Sequence, residues 1–275
     1  MSSEVAPVIA FLGAGNMASA MISGLIAQGT SPNQLRASDP SEAALAGLEA
    51  LGLTQLGTSP DGLFDGADLV VAAVKPQIIP TALNAISDQL GADTALLSIA
   101  AGIPISSLQA HAGEDVAIIR CMPNTPAMIG LGASALYAPH SVSPAHRDLA
   151  ERVTNAAGKT VWVASEDLLD AVTAVSGSGP AYFFALIEAI TQAGTELGLE
   201  EDVATALTVQ TALGAASLAA QSTESVATLR ENVTSPGGTT EQALQSLQTN
   251  KFDAVVAEAV RQCAARAKAL GEEFG

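Results

Sequence analysis

Residues 8–18 read Val-Ile-Ala-Phe-Leu-Gly-Ala-Gly-Asn-Met-Ala. Val8–Leu12 is an apolar run of strand length without polar alternation, the pattern of a parallel strand buried on both faces. Gly13-Ala-Gly-Asn-Met-Ala18 follows at once and opens an amphipathic helix expected to continue to about Gln28. In a strand-to-helix turn of the form G-x-G-x-x-A each small residue has a task. Gly13 permits the tight turn, Gly15 leaves backbone open to a pyrophosphate, and Ala18 lets helix pack closely on strand. The hexapeptide alone is common; its place between a first strand and a helix is what makes it a dinucleotide-binding turn.

The segments that follow extend the same pattern. A second strand, Gln34–Ser38, ends at Asp39, which lies 26 positions after Gly13. An acidic residue there can accept hydrogen bonds from an adenosine ribose. Asp39 also stands three before Glu42, so capping the next helix is its alternative role. Arg36 is the only nearby base and sits inside the strand, so NADH and NADPH both remain open as the cofactor. Further strands are expected at Asp68–Val74, Thr94–Ala101, Val116–Arg120, Ala133–Ala138 and Thr160–Ala164, with a helix over Pro144–Ala156. Lys75 directly follows one strand end, the edge on which ligands bind in such sheets, where it can face cofactor, substrate or solvent. Pro123 and Pro126 stiffen the loop around Asn124.

Strand and helix stop alternating near Ala164. Beyond it lie helices over Ala181–Leu197 with Pro180 in the first turn, from Glu200 and Glu201 onward, and over Ser222–Glu231, Thr240–Gln248 and Phe252–Leu270. Ser176 and Ser178 can line a cleft or cap the first of these. The chain thus reads as an α/β Rossmann domain with a mostly parallel sheet over residues 1–164, followed by an all-α domain over 165–275.

Among those helices Glu231–Thr240, Glu-Asn-Val-Thr-Ser-Pro-Gly-Gly-Thr-Thr, concentrates site chemistry. Pro236 fixes its own φ, and Gly237 and Gly238 leave amides uncovered. Thr239 precedes Gln242 by the capping-box spacing, so a helix is expected to start there. Bare amides ahead of a helix N-terminus suit a carboxylate or phosphate; a well-capped connecting loop is the plainer alternative.

Of the 275 residues 48% are apolar, enough for a sizeable core, and 28 Asp and Glu against 11 Lys and Arg leave a formal charge of −17. Such a field repels polyanions, so neither nucleic acid nor an anionic membrane is an expected partner. Residues 203–220 carry no charge and are long enough to span a bilayer. Thr205, Thr208, Gln210, Thr211 and Ser217 interrupt them, however, and alanine supplies their bulk. A helix buried on most sides, within a subunit interface, is expected instead. Cys121, Cys263 and the three histidines show no metal-ligand spacing, and isolated cysteines fit a reducing cytoplasm. Met1–Val5 has no basic segment ahead of an apolar one, so no leader peptide is expected.

Taken together, Phe-Leu-Gly-Ala-Gly-Asn-Met-Ala (11–18), Val-Lys-Pro-Gln (74–77), Arg-Cys-Met-Pro-Asn-Thr-Pro (120–126), Ser-Gly-Ser-Gly-Pro-Ala-Tyr (176–182) and Val-Thr-Ser-Pro-Gly-Gly-Thr-Thr (233–240) resemble the pyrroline-5-carboxylate reductases over nearly the whole chain. The resemblance implies a Rossmann domain for NADPH or NADH and a helical domain that dimerises, often with higher assembly. It implies reduction of the C=N bond of 1-pyrroline-5-carboxylate to L-proline, the last step of proline biosynthesis. On the matching positions it implies cofactor contacts at Gly13, Gly15, Asn16, Met17, Ser38, Asp39, Ala73, Val74, Lys75, Pro76 and Asn124. Substrate contacts fall at Met122, Asn232, Val233, Ser235, Gly237, Gly238 and Thr240, with the Thr240 hydroxyl near the ring nitrogen and the site built at the dimer interface. Relatives that use NADPH tend to have a small hydroxyl or basic residue at the position of Asp39. A 3-hydroxyacid dehydrogenase would need a catalytic lysine on the long interdomain helix, and Ala181–Leu197 has none. A dinucleotide-binding regulator would have no use for the 233–240 loop.

Overall fold

The computed structural model describes residues 6–274, so the reading of Met1–Val5 lies outside the described residues. The strands are β1 (Ile9–Leu12), β2 (Leu35–Ser38), β3 (Gln55–Gly57), β4 (Leu69–Ala72), β5 (Ala95–Ser98), β6 (Ala117–Met122), β7 (Gly132–Tyr137) and β8 (Gly158–Trp162). They form one sheet in the order β3-β2-β1-β4-β5-β6-β7-β8. Pairing is parallel from β3 to β6; β7 runs antiparallel to β6, and β8 parallel to β7. The order reverses at β1, flanked by β2 and β4, which is the switch point where such sheets bind ligands outside the strand ends.

Helices α1 (Asn16–Ala27), α2 (Glu42–Glu49), α3 (Ile79–Asn84), α4 (Ile105–Ala112) and α5 (Pro144–Asn155) connect these strands. Ile9 and Phe11 of β1 pack into a cluster with Met21, Ile22 and Leu25 of α1 and Val153 of α5. Ala10 and Leu12 enter a second cluster with Ile79 and Leu83 of α3 and Leu108 of α4. Successive side chains point to opposite faces, and both faces are covered, which is why β1 shows no polar alternation.

The structure adds one strand and corrects one local expectation. Residues 55–57 form a strand that has no apolar signature of its own; its pairing with β2, Ala37 opposite Leu56, supplies the order. Asp39 caps no helix: Ser41 is the N-cap of α2, its side chain accepting from the Ala44 amide at 3.3 Å.

Beyond β8, α6 (Leu168–Val172) runs through a π-helical turn at Thr173–Gly177 into α7 (Gly179–Glu196), whose start had been read at Ala181. Ser176 and Ser178 cap nothing. The Ser176 hydroxyl donates to the Val172 carbonyl, and the Ser178 hydroxyl accepts from the Cys263 thiol at 3.2 Å. Then come α8 (Glu201–Gln221), α9 (Val226–Asn232), α10 (Thr239–Thr249) and α11 (Phe252–Phe274).

Contacts divide the chain into two compact units, the residues up to Ser178 together with those from Cys263 onward, and Gly179–Gln262. The end of strand–helix alternation at 164 therefore falls inside the first unit. Arg120 of β6, 9% exposed, explains this: its guanidinium donates to Glu166 Oε1 at 2.8 Å, and the same oxygen accepts from the Ile105 amide at 2.8 Å. A buried arginine left without that carboxylate would cost about 3–5 kcal/mol, so residues past 164 stay on the sheet. Helix α11 returns there too, with Gly271 set against the backbone of Gly102.

Within the single chain, helix α8 is largely uncovered. Ala204 and Thr208 are its buried residues, while Leu207, Leu213 and Leu218 are more than half exposed. Its close neighbour is α7, where a Cβ on Gly194 would stand 3.3 Å from the Ala204 Cβ.

Packing of α1 offers a test of the core. A methyl group on Gly24 would run into the Ala156 carbonyl, which is backbone and cannot swing aside. Helix propensity would favour Gly24→Ala by about 1 kcal/mol. Overpacking at a backbone contact costs about 3 kcal/mol and wins. The variant should therefore lose about 2 kcal/mol, read as a lower urea midpoint at unchanged m-value.

Candidate active site

The C-terminal ends of β1, β2 and β4 meet around one turn. The Gly13 amide donates to the Ser38 carbonyl at 2.7 Å. With φ at +104° and a would-be Cβ only 2.6 Å from the Ala73 carbonyl oxygen and 3.0 Å from Val74 Cγ1, Gly13 admits no side chain. The Ala14 amide donates to Asp39 Oδ2 at 2.8 Å, and the Ser41 amide to Asp39 Oδ1 at 2.8 Å. Gly15 is the N-cap of α1 without a side-chain cap and with open space where a Cβ would stand. The first α-helical bond runs from Ser19 to Gly15, so among the described residues no acceptor meets the amides of Asn16, Met17 and Ala18. The first turn of α1 has no acidic residue of its own, so its bare amides stay open to an anion. Gly13, Gly15, Asn16, Met17, Ser38, Asp39, Ala73 and Val74 are thus brought together. Lys75 and Pro76 follow at the end of β4, with Lys75 exposed ahead of a short 3-10 turn.

A second group closes the strand end of β6. Asn124 donates from Nδ2 to the Ser176 carbonyl at 3.0 Å and accepts at Oδ1 from the Ala133 amide at 2.8 Å. Both ends of that amide are committed, so Asn124 holds the proline-flanked loop to β7 and to the π turn. Met122 lies against Gly177, where a Cβ would collide with its methyl group. The π turn thus places a small residue where Met122 needs room.

In the second compact unit, Ser235-Pro236-Gly237-Gly238 forms a turn closed by the Gly238 amide donating to the Ser235 carbonyl at 2.9 Å. Gly237 takes φ +70° at the third position, and Pro236 supplies the second, the signature of a type II turn. The N-cap of α10 is Gly238, so Thr239 does not cap the helix as its spacing suggested. The Gly237 amide instead donates to Glu241 Oε2 at 2.8 Å. Both glycine amides therefore have partners within the chain. The helix starts bonding at Gln242 to Gly238, and no acceptor among the described residues meets the amides of Thr239, Thr240 and Glu241. Glu241 was missed by the sequence reading; an N-cap placed one residue earlier would have put it at the third helical position, the capping-box site. Asn232 is tied to Glu224 through Nδ2 at 3.0 Å, while Val233 is 63% exposed. An open cleft of about 890 Å³ beside this turn is lined by Arg230, Thr234, Glu241, Leu244 and Phe252.

A Rossmann sheet with an uncapped glycine turn at its switch point defines a dinucleotide-binding fold, here followed by helices that carry a second bare helix N-terminus. Residues 166–270 match the family described as pyrroline-5-carboxylate reductase dimerisation. Residues 8–102 match the coenzyme F420-dependent NADP oxidoreductase family. A pyrroline-5-carboxylate reductase of Pseudomonas aeruginosa is 47% identical over 272 residues, 98% of either chain. The solved reductase of Coxiella burnetii superposes with a TM-score of 0.92 at 38% identity, covering 96% of this chain and 98% of that one. That of Plasmodium falciparum, with NADP bound, gives 0.82 at 30% identity over 96% and 98%. The chain belongs to the pyrroline-5-carboxylate reductase family.

One nucleophile near these residues is silent. Cys121, beside Met122, is 3% exposed, and burial pushes its thiol up from 9.0 to about 12, a bond with Ser134 offsetting part of the rise. The neutral thiol is favoured in the folded protein, so this contribution to stability is complete below pH 9 and fades as pH rises toward 12. At pH 8, iodoacetamide should label Cys121 only after urea unfolding. Peptide mass spectrometry that found equal labelling rates in native and unfolded protein would contradict this.

Proposed function

We infer that this chain reduces 1-pyrroline-5-carboxylate to L-proline, the last step of proline biosynthesis, with NADPH or NADH as reductant. Family membership over nearly the full length carries the reading. When bound, the reduced nicotinamide supplies the hydride. Gly13, Gly15, Asn16 and Met17 seat the pyrophosphate, which suits the unsatisfied amides of α1; Ser38 and Asp39 take the adenosine ribose, and Ala73–Pro76 with Asn124 border the cofactor.

The substrate carboxylate sits at the N-terminus of α10, within Asn232–Thr240. Backbone amides and the helix dipole serve an anion there without an arginine clamp. The bare amides of Thr239 and Thr240 support a seat displaced by one or two residues from Gly237 and Gly238, whose amides already have partners. Thr240 bonds the ring nitrogen and orients the imine. A protonated imine needs no strong acid beside it, so orientation supplies most of the acceleration, of order 7–11 kcal/mol.

A second copy of the chain covers α7 and α8. Phe183, Phe184, Leu207 and Leu213 are all more than half exposed in the single chain, which supports self-association through this region. Helix α8 also has the length and hydropathy of a membrane span. A dimer accounts for that apolar surface in an enzyme of the cytoplasm, a setting supported by two free cysteines. Neither nucleic acid nor membrane is a partner in this reading, and the charge of −17 supports that.

Thr240→Ala should lower kcat by about 100-fold while the Kd for the nucleotide stays within about twofold. Equal losses in both would remove Thr240 from the imine. Glu241→Gln keeps an acceptor for the Gly237 amide but removes a negative charge beside the incoming carboxylate. The KM for pyrroline-5-carboxylate should fall about threefold with kcat unchanged; a KM that stays level or rises would separate Glu241 from the substrate.

A further inference from the structure

Family membership leaves open which nicotinamide nucleotide the chain prefers, and the end of β2 bears on the choice. We propose that this protein selects NADH over NADPH, with Asp39 as the selecting residue. The proposal rests on the reading of Gly13–Ala18 as the nucleotide turn.

Asp39 is fixed before any ligand arrives. Its two oxygens accept from the Ala14 and Ser41 amides, each at 2.8 Å, and Ala14 is only 3% exposed. The carboxylate is thereby anchored to the glycine turn, at the strand end beside the switch point. Each oxygen keeps a further lone pair, enough to accept from the vicinal hydroxyls of a ribose. A 2′-phosphate at the same place would bring only acceptors and about −1.5 to −2 charges against a group that is itself an acceptor and an anion.

Among the described residues, no ion pair or hydrogen bond brings a cation to Asp39. Between Arg36 and Lys75 the chain contains no lysine or arginine, while Asp39, Glu42, Glu49, Asp61, Asp65 and Asp68 all fall within it. Arg36 is committed elsewhere: its Nη1 donates to the Leu63 carbonyl at 3.2 Å and to the Asp65 carbonyl at 2.8 Å. Lys75 follows β4, which is separated from β2 by β1. Of the nearby hydroxyls, that of Ser59 is spent, donating to Asp61 at 2.7 Å, while that of Ser41 accepts from the Ala44 amide and brings no positive charge. The first turn of α2 adds Glu42, a further negative charge.

Binding to the unmodified protein tests this without relying on turnover. Fluorescence titration with NADH and NADPH, and displacement of NADH by 5′-AMP and 2′,5′-ADP, should show the unphosphorylated member of each pair bound at least about tenfold more tightly. Asp39→Ser and Asp39→Asn should each move both ratios at least about tenfold toward the phosphorylated member, and kcat/KM for NADH against NADPH should shift in the same sense. Equal or tighter binding of NADPH and 2′,5′-ADP by the unmodified protein would overturn the selection and leave the nucleotide turn standing. Ratios unchanged in both variants would remove Asp39 from the role, and failure of both dinucleotides to bind would overturn the nucleotide turn itself.

Discussion

The backbone of Gly13 is the point on which the nucleotide-binding unit depends. Its amide is spent on the Ser38 carbonyl, and its α-carbon lies so close to Ala73 that no side chain could stand there. One residue thereby joins β2, β1 and β4 at their C-terminal ends and turns the chain from β1 into α1. The Ala14 amide then falls on Asp39, and the next amides are left facing outward. A bulkier residue at this position would have to separate the strands before it altered anything chemical.

The two seats read for anions use the same economy of charge. In a chain with 11 cationic side chains against 28 acidic ones, helix N-termini take the place of arginine clamps. Their first-turn amides are held in place by the fold, so they lose no side-chain entropy on binding. At each seat a carboxylate of the chain occupies one neighbouring amide: Asp39 on Ala14, and Glu241 on Gly237. At the first it shapes what the ribose pocket admits. At the second it puts a fixed negative charge beside the place read for the substrate's carboxylate.

Conformational features at the junction follow from packing. The π turn at Thr173–Gly177 releases the Ser176 carbonyl to Asn124 and sets Gly177 against Met122. Arg120 and Glu166 bind the segment after β8 to the sheet, and α11 returns to the same unit at Cys263. A proline-flanked loop, a widened helical turn and a buried ion pair together hold one wall of the strand edge in place.

Local sequence carried the Rossmann order, the strand cores, the glycine turn, the helical second half and the backbone roles of Pro236 and Gly237. Each rests on short-range constraints: the hydrophobic period, φ restricted by proline, φ freed by glycine. Residues 55–57 could not be read as a strand, because their order comes from β2. The roles of Ser41 and Glu241 were hidden because each depends on which residue begins a helix, and a shift of one residue reassigns every cap. The division after Ser178 and the return of α11 were invisible for a related reason. Arg120 lies 46 residues from Glu166, and Ser178 lies 85 from Cys263. Contacts at that separation leave no period in the sequence and exist only once the sheet has placed their partners side by side.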